Sequence, residues 1–329
     1  MTQPVRKAPE KGIADVRVLI IGGTRFLGAA IARELLRQGH RVTLLHRGST
    51  PGDLPAAAVH VLGDARNAAC VEATLREGRF DAVVDTILQA QDLAWQLPLF
   101  HRHAGQLVHC ASTGVYAPAA QLPSRETDPT PCPPELGGFD AKLAQDLAVV
   151  AFHERTGFRT CSLRVSNVIG AGDVPLDLWG AREPACFQRL ADHRPVWIPN
   201  DGRALVQPVH VDDLARGFLA ALESPRAAGQ IYNLSSERAV TLTEYARLAA
   251  GVLGSQSAFE HVPMEKILAT GKANEAGLRF LCEHMCIDSG KARRELGYCP
   301  RVSLQDALRE SLHWMQQRGL LRAASQPGR

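Results

Sequence analysis

Apolar residues run without alternation through VRVLIIG (16–22), stop at glycines, and give way to a helical pattern over AAIARELLRQG (29–39). A strand, a tight loop and a helix are predicted there. The cycle repeats along the first half of the chain. RVTLLH (41–46), AVHVL (58–62), FDAVVDTI (80–87), QLVHCAS (106–112) and FRTCSLRVSNVI (158–169) read as strands, NAACVEATLREG (67–78) and residues 139–156 as helices, with a Pro-rich loop over 117–137. Runs that are apolar at every position suit strands covered on both faces, the condition of a parallel sheet between helical layers. The pattern therefore predicts an α/β fold on a doubly wound parallel sheet.

The second half is less regular, and residues 171–208 are rich in proline and polar groups. VHVDDLARGFLAALES reads as a helix whose first amides are served by Asp212 and Asp213. QIYNLSS reads as a short strand, and TLTEYARLAAGVLG as a helix with Thr241 and Glu244 spaced as a capping box. DSGKARRELGY and a closing helix, LQDALRESLHWMQQRG, complete a smaller lobe. The expected division is a loose tail (1–15), a main domain (16–170), a smaller α/β lobe over 171–322 with parts such as 205–235 returning to the main domain, and a second tail (323–329).

Composition narrows the class. The 329 residues suit about two domains or one large α/β unit, and 45% hydrophobic with 22% charged residues excludes a disordered or fibrous chain. A net charge of +3 with scattered basic residues predicts no nucleic-acid partner. MTQPVRKAPEKG lacks the apolar core of a signal peptide and no later run reaches a membrane span, so a cytoplasmic protein with no membrane partner is expected. The eight cysteines (Cys70, Cys110, Cys132, Cys161, Cys186, Cys282, Cys286 and Cys299) are dispersed and read as reduced thiols. Cys282 and Cys286 have no second ligand pair, and no metal site is expected.

The chemistry is concentrated in IIGGTRFLGAAIARELL. Gly22, Gly23 and Gly28 lie between a strand and a helix, where glycine lets the backbone approach a pyrophosphate and the helix N-terminus offers free amides and a partial positive charge. Gly22, Gly23, Thr24, Arg25, Phe26, Leu27 and Gly28 are the candidate cradle. In such folds an acidic residue ending the second strand holds the adenosine ribose; here His46 and Arg47 stand there, which favours NADP(H) while leaving NAD(H) possible. Arg25 is a second candidate phosphate ligand.

With these residues in place the sequence resembles the extended short-chain dehydrogenase/reductases, the NAD(P)-dependent epimerase/dehydratase group, from about residue 17 to 318, which implies a Rossmann-type fold. VLIIGGTRFLG is similar to the family's glycine motif with Arg25 in place of its middle glycine. GDARN resembles the segment that approaches the adenine, which assigns Asp64 and its neighbour Ala65. LVHCASTGVYAP resembles the strand carrying the catalytic hydroxyl, with Ser112 in that role and Tyr116 four residues on. LRVSNVIGAGD, QPVHVDDLARGFLAAL and IDSGKARRELGYCP are similar to later signatures. The resemblance also implies a small-molecule substrate, a homodimer, and a Tyr four residues before a Lys. Lys142 is present to bind the nicotinamide ribose, but Gly138 stands at the tyrosine position.

A lost general acid costs on the order of 10²–10⁴ in rate, so a substitute is needed. Tyr116, Asp140 and Ser112, alone or with a water, are the candidates. His109 and Cys110 are adjacent in a strand and face opposite sides, so they do not act together. His210 is expected to pack, and His101 and His103 to lie on the surface of a polar connection. Trp179, Phe187 and Trp197 either line a substrate cleft or fill the lobe's core. No arginine stands just before the HVDD segment, although Arg203 is near. The reading is an NAD(P)-dependent oxidoreductase or epimerase acting on a hydroxyl or carbonyl of a small or sugar-like substrate. The alternative is a non-catalytic NADP(H)-binding sensor on the same fold; RNA binding is a third option that the charge argues against.

Overall fold

The computed structural model describes residues 15–49 and 55–322, so the expected tails fall outside it except for Asp15. β1 (Arg17–Ile21) runs through a glycine loop into α1 (Phe26–Arg37), followed by β2 (Arg41–His46), β3 (Val59–Leu62), α2 (Ala68–Gly78), β4 (Ala82–Asp85), α3 (Ala90–His103) and β5 (Gln106–Ser112). Next come α4 (Asp140–Thr156), β6 (Arg159–Val165), β7 (Val168–Ile169), α5 (Pro184–Ala191), β8 (Val196–Pro199), β9 (Leu205–Val206), β10 (Val209–His210), α6 (Val211–Glu223) and β11 (Gln230–Leu234). The remainder is β12 (Val240–Thr241), α7 (Leu242–Val252), β13 (Phe259–Val262), α8 (Met264–Leu268), α9 (Glu275–Leu281), α10 (Gly290–Leu296) and α11 (Leu304–Gln317).

Seven strands form one sheet in the order β3-β2-β1-β4-β5-β6-β11, parallel at every pairing. This is the Rossmann-type order, and the order in which strands are added reverses between β1 and β4, leaving a crevice beyond their C-terminal ends. Both faces are covered except at the edge strand β3, whose Val59 and Leu62 are exposed. Val18, Ile20, Leu44, Val84 and Val108 pack under α1 and α6, while Leu19, Ile21, Leu45, Val83 and Leu107 pack under α2, α3 and α4. Successive side chains thus enter opposite cores, which is why these strands are apolar at every position. A separate core in the lobe gathers Phe187, Leu190, Ile198, Tyr245, Leu308 and Met315. No described helix is long and apolar enough to cross a membrane.

The structure corrects the sequence reading in three places. The connection carrying His101 and His103 is a helix, α3: Leu93, Gln96, Leu97 and Phe100 form its buried face at helical spacing. Pro98, which withdraws an amide donor inside the helix, and the surrounding glutamines and histidines hide that pattern. The strand expected over 158–169 breaks after Val165, where Ser166 turns its hydroxyl to the Gln207 carbonyl (2.7 Å) and β7 leaves to pair with β10. Asp212 and Asp213 do not cap α6. His210 does, its Nδ1 accepting the Asp212 N–H at 3.2 Å while its Nε2 meets Glu310 at 2.9 Å, and Asp213 instead accepts the N–H groups of Arg301 and Val302 and pairs with Arg216. The Thr241 hydroxyl does cap α7, accepting the Glu244 N–H at 3.1 Å.

Candidate active site

A cleft of about 480 Å³ opens at the crevice between β1 and β4. Gly22, Thr24, Arg25, Phe26, Leu27 and Gly28 line it, with His46, Arg47, Asp64 and Ala65. Its glycines are required by what surrounds them. Gly22 is left-handed (φ +91°) and a Cβ there would collide with Thr86; a Cβ on Gly28 would collide with the Gly22 carbonyl and come within 2.9 Å of Gly23 Cα. Gly23 is not a wall residue: it faces inward, where Leu44 leaves no room for a Cβ. α1 starts at this loop with no side-chain cap and no acidic residue in its first turn, so its leading amides and dipole remain for an anion. A pyrophosphate group fits this cradle.

At the β2 end the charges are unequal. His46 is a neutral wall: its Nδ1 accepts the Gly48 N–H (3.1 Å), its Nε2 meets His60 Nδ1 (3.1 Å), and partial burial together with His60 holds it below its ordinary value. Arg47, Arg66 and Arg25 supply cations to the lining. Asp64 accepts the Arg66 N–H at 2.9 Å, and the Ala65 carbonyl accepts from Gln96 at 2.7 Å, which anchors this wall to α3.

Sequence spacing missed the opposite wall. Thr86, Ile87 and Leu88 line the cleft, and they are held there by Asp85, whose Oδ1 accepts the N–H groups of Ile87 and Leu88 at 2.8 Å each. The other carboxylate oxygen is pinned by His109 Nδ1 at 2.6 Å, and both side chains are wholly buried. The available signal was position: in a doubly wound sheet the C-terminal end of β4 must face the crevice.

The candidate catalytic residues do not form one group. Ser112 ends β5, half-buried, and its Oγ accepts the Gly114 N–H at 3.1 Å, which leaves the hydroxyl hydrogen uncommitted. Lys142 lies in the first turn of α4 and donates to Gln145 Oε1 at 3.2 Å. Burial pushes the Cys110 thiol up to about 12, against the pull of the Lys142 ammonium. Tyr116 is committed elsewhere. Its hydroxyl donates to Asn233 Oδ1 (2.8 Å) and accepts from Arg164 (2.6 Å), and Arg164 in turn binds Asp146 (2.6 Å), all four residues being buried. Burial pushes its phenol up to about 12.

Gly138 is exposed, left-handed (φ +74°), and outside α4, which begins at Asp140; Asp140 is exposed as well. The bulky side chain at this turn is Phe139, whose ring lies over Gly114 so closely that a Cβ there would collide with it, and which stacks on Phe280 of α9 at 4.7 Å.

The lobe holds a further cavity of about 680 Å³, lined by Trp179, Trp197, Glu183, Arg189, Thr270 and Lys272 among others. Trp179 Nε1 donates to the Trp197 carbonyl at 3.1 Å. Of the three aromatic residues that the sequence left open, Phe187 fills the core and the two tryptophans line the cavity. Arg203 is exposed beside Asp201. All eight cysteines are free thiols.

The fold and the glycine cleft together place the chain in the Rossmann class, whose crevice is the usual dinucleotide position. Residues 18–235 match the NAD dependent epimerase/dehydratase family, and the chain belongs to it. It is 28% identical to the chloroplast stem-loop binding protein of 41 kDa b of Arabidopsis thaliana, over 94% of this chain and 82% of that protein. It is 27% identical to a UDP-glucose 4-epimerase of Corynebacterium glutamicum, over 89% and 94%. An epimerase structure from Methanothermobacter thermautotrophicus superposes with a TM-score of 0.77 at 22% identity, covering 93% of this chain and 94% of the other, a likeness of fold.

Proposed function

We propose that the chain is an NAD(P)-dependent oxidoreductase of the epimerase/dehydratase type, acting on a hydroxyl or carbonyl carbon of a sugar-nucleotide-like substrate. The observation that carries this reading is the glycine cleft closed by an uncapped helix N-terminus. A nicotinamide dinucleotide held there supplies reversible hydride exchange with the substrate carbon. Ser112 hydrogen-bonds the substrate oxygen through its uncommitted hydroxyl hydrogen, the Gly114 N–H on its Oγ strengthening that bond, and the proton that accompanies hydride exchange passes between the substrate oxygen and solvent water. Lys142 binds the ribose hydroxyls. Tyr116 is a structural post, because both partners of its hydroxyl are buried protein groups. Relatives named as UDP-glucose epimerases and dTDP-glucose dehydratases support a sugar nucleotide. The cavity between Trp179 and Trp197 suits a flat ring, with Arg189 and Lys272 at hand for phosphate.

Arg47 and Arg66 beside an uncharged His46 favour a 2′-phosphate, hence NADP(H), although several similar structures contain NAD. A homodimer belongs to the same reading; Leu147, 54% exposed on α4, is the kind of apolar group a second copy covers. The second reading, a cofactor-binding sensor, is favoured by Phe139 and Gly138 at the turn where the family's acid is expected.

Calorimetry with NADP⁺ and NAD⁺, and turnover on UDP- and dTDP-sugars by wild type and Ser112→Ala, separate these readings. The enzyme reading expects tighter binding of NADP⁺ and a kcat loss of about 10²-fold in Ser112→Ala at unchanged cofactor affinity. Binding without turnover selects the sensor, and no heat with either dinucleotide removes both.

A further inference from the structure

The sheet has a second cationic cavity at its other end. Arg17 opens β1, at the end of the strand away from the glycine loop, and with Arg76, Arg79, Arg102 and His103 it walls a space of about 420 Å³. These side chains come from β1, α2, the turn after α2 and α3. Arg76 and Arg102 share Glu72 at 2.7 and 3.7 Å, and Arg17 meets Asp81 at 3.5 Å. The guanidinium of Arg79 has no ion-pair or hydrogen-bond partner among the described residues. Four permanent positive charges thus face two carboxylates.

Complementing helix dipoles accounts for part of this cluster, since Arg76 and Arg102 lie in the last turns of α2 and α3. It does not account for Arg17, which begins a strand. Nor does it account for Arg79, which occupies the left-handed C-cap of α2 at φ +46°, a conformation glycine takes without steric cost and arginine does not. The Nε2 of His103, another lining residue, is buried with no partner. Guanidinium forks match the geometry of phosphate oxygens, and an excess of two positive charges matches a phosphate dianion.

We propose that this cavity is an oxyanion site that takes a phosphate group. Doubly wound sheets bind their dinucleotide beyond the C-terminal ends of the strands, and this site lies at the N-terminal ends, apart from the glycine cleft. The phosphate belongs either to a phosphomonoester metabolite or to a polynucleotide backbone, and the chemistry of the cavity is the same for both.

The test is calorimetry of the full chain with inorganic phosphate, in the presence of excess NAD⁺, which carries no phosphomonoester, for wild type, Arg79→Gln/Arg102→Gln and Arg79→Lys. Binding should weaken about tenfold or more in the double variant and recover largely in Arg79→Lys, with circular dichroism unchanged because Arg102 is solvent-facing. A glucose phosphate and a short RNA hairpin are then titrated. Hairpin binding that falls with salt and disappears in the double variant assigns the phosphate to a polynucleotide; binding of the sugar phosphate alone assigns it to a metabolite. Phosphate affinity that is absent in wild type, or equal in wild type and double variant, overturns the proposal.

Discussion

Two glycine segments of this chain look alike in sequence and behave oppositely in space. In the Gly22–Gly28 loop every glycine is crowded: a Cβ would meet Thr86 at Gly22, which is also left-handed, the end of the Leu44 side chain at Gly23, and backbone at Gly28. At Gly137–Gly138, before α4, the nearest atoms to an added Cβ are 4.0 and 3.6 Å away, and only the left-handed φ angles call for glycine. The first segment is shaped by what it must bring together, whereas the second is a hinge of chain at the surface. At Gly28 the obstruction to a side chain is backbone, whereas at the second segment the bulk is carried by the next residue, Phe139, whose ring lies over Gly114.

The largest expected effect lies on the packed side. Gly28→Ala places a methyl against the Gly22 carbonyl and must push α1 away from β1. Overpacking of about 1–3 kcal/mol, spent where the pyrophosphate cradle is formed, predicts a loss of about 10–100-fold in dinucleotide affinity. Fluorescence titration with NADPH measures it. Affinity within twofold of wild type would mean that the loop is as permissive as the hinge, and the contrast would fall.

The same contrast explains what the sequence disclosed. The β1–loop–α1 unit was legible because its constraints are local: an apolar run, glycines in fixed order and a helix follow one another within 22 residues. Most strands were legible because double burial writes itself as unbroken apolar runs. What stayed hidden depends on partners distant in the chain. Tyr116 meets Asn233, 117 residues on, and His210 meets Glu310 across 100. The cleft wall at Thr86–Leu88 depends on Asp85 being pinned by His109, a pairing that parallel register creates and spacing does not reveal. α3 was hidden by composition, since Gln96, with a buried polar side chain, sits on its core face.

A middle-sized effect sharpens the contrast from the segment that follows β5. Tyr116→Phe removes one hydroxyl from the buried chain Asn233–Tyr116–Arg164–Asp146 and leaves Arg164 short of a partner. Destabilisation of about 1–3 kcal/mol follows, read by urea denaturation. A phenol raised to about 12 does not titrate between pH 5 and 9, so the pH profile of any turnover should keep its shape in the variant. A lost limb in that profile, with stability intact, would move Tyr116 from support into catalysis.

The smallest effect belongs to the hinge. Gly138→Tyr restores the spelling of the family's Tyr and Lys pair, with three residues between position 138 and Lys142, yet it does not restore the geometry. Residue 138 precedes the first helical residue, Asp140, and is turned by φ +74° into solvent. Its phenol therefore does not share a helix face with the Lys142 ammonium, and the tyrosine gains no proton-transfer partner. The left-handed conformation costs a tyrosine about 1–2 kcal/mol, a fall of a few degrees in Tm for a chain of this size. Turnover on a nucleotide-sugar panel should stay within twofold of wild type. A rise of 10² or more would show that the hinge can wind into the helix and deliver an acid, which would make the two glycine segments functionally coupled parts of one site.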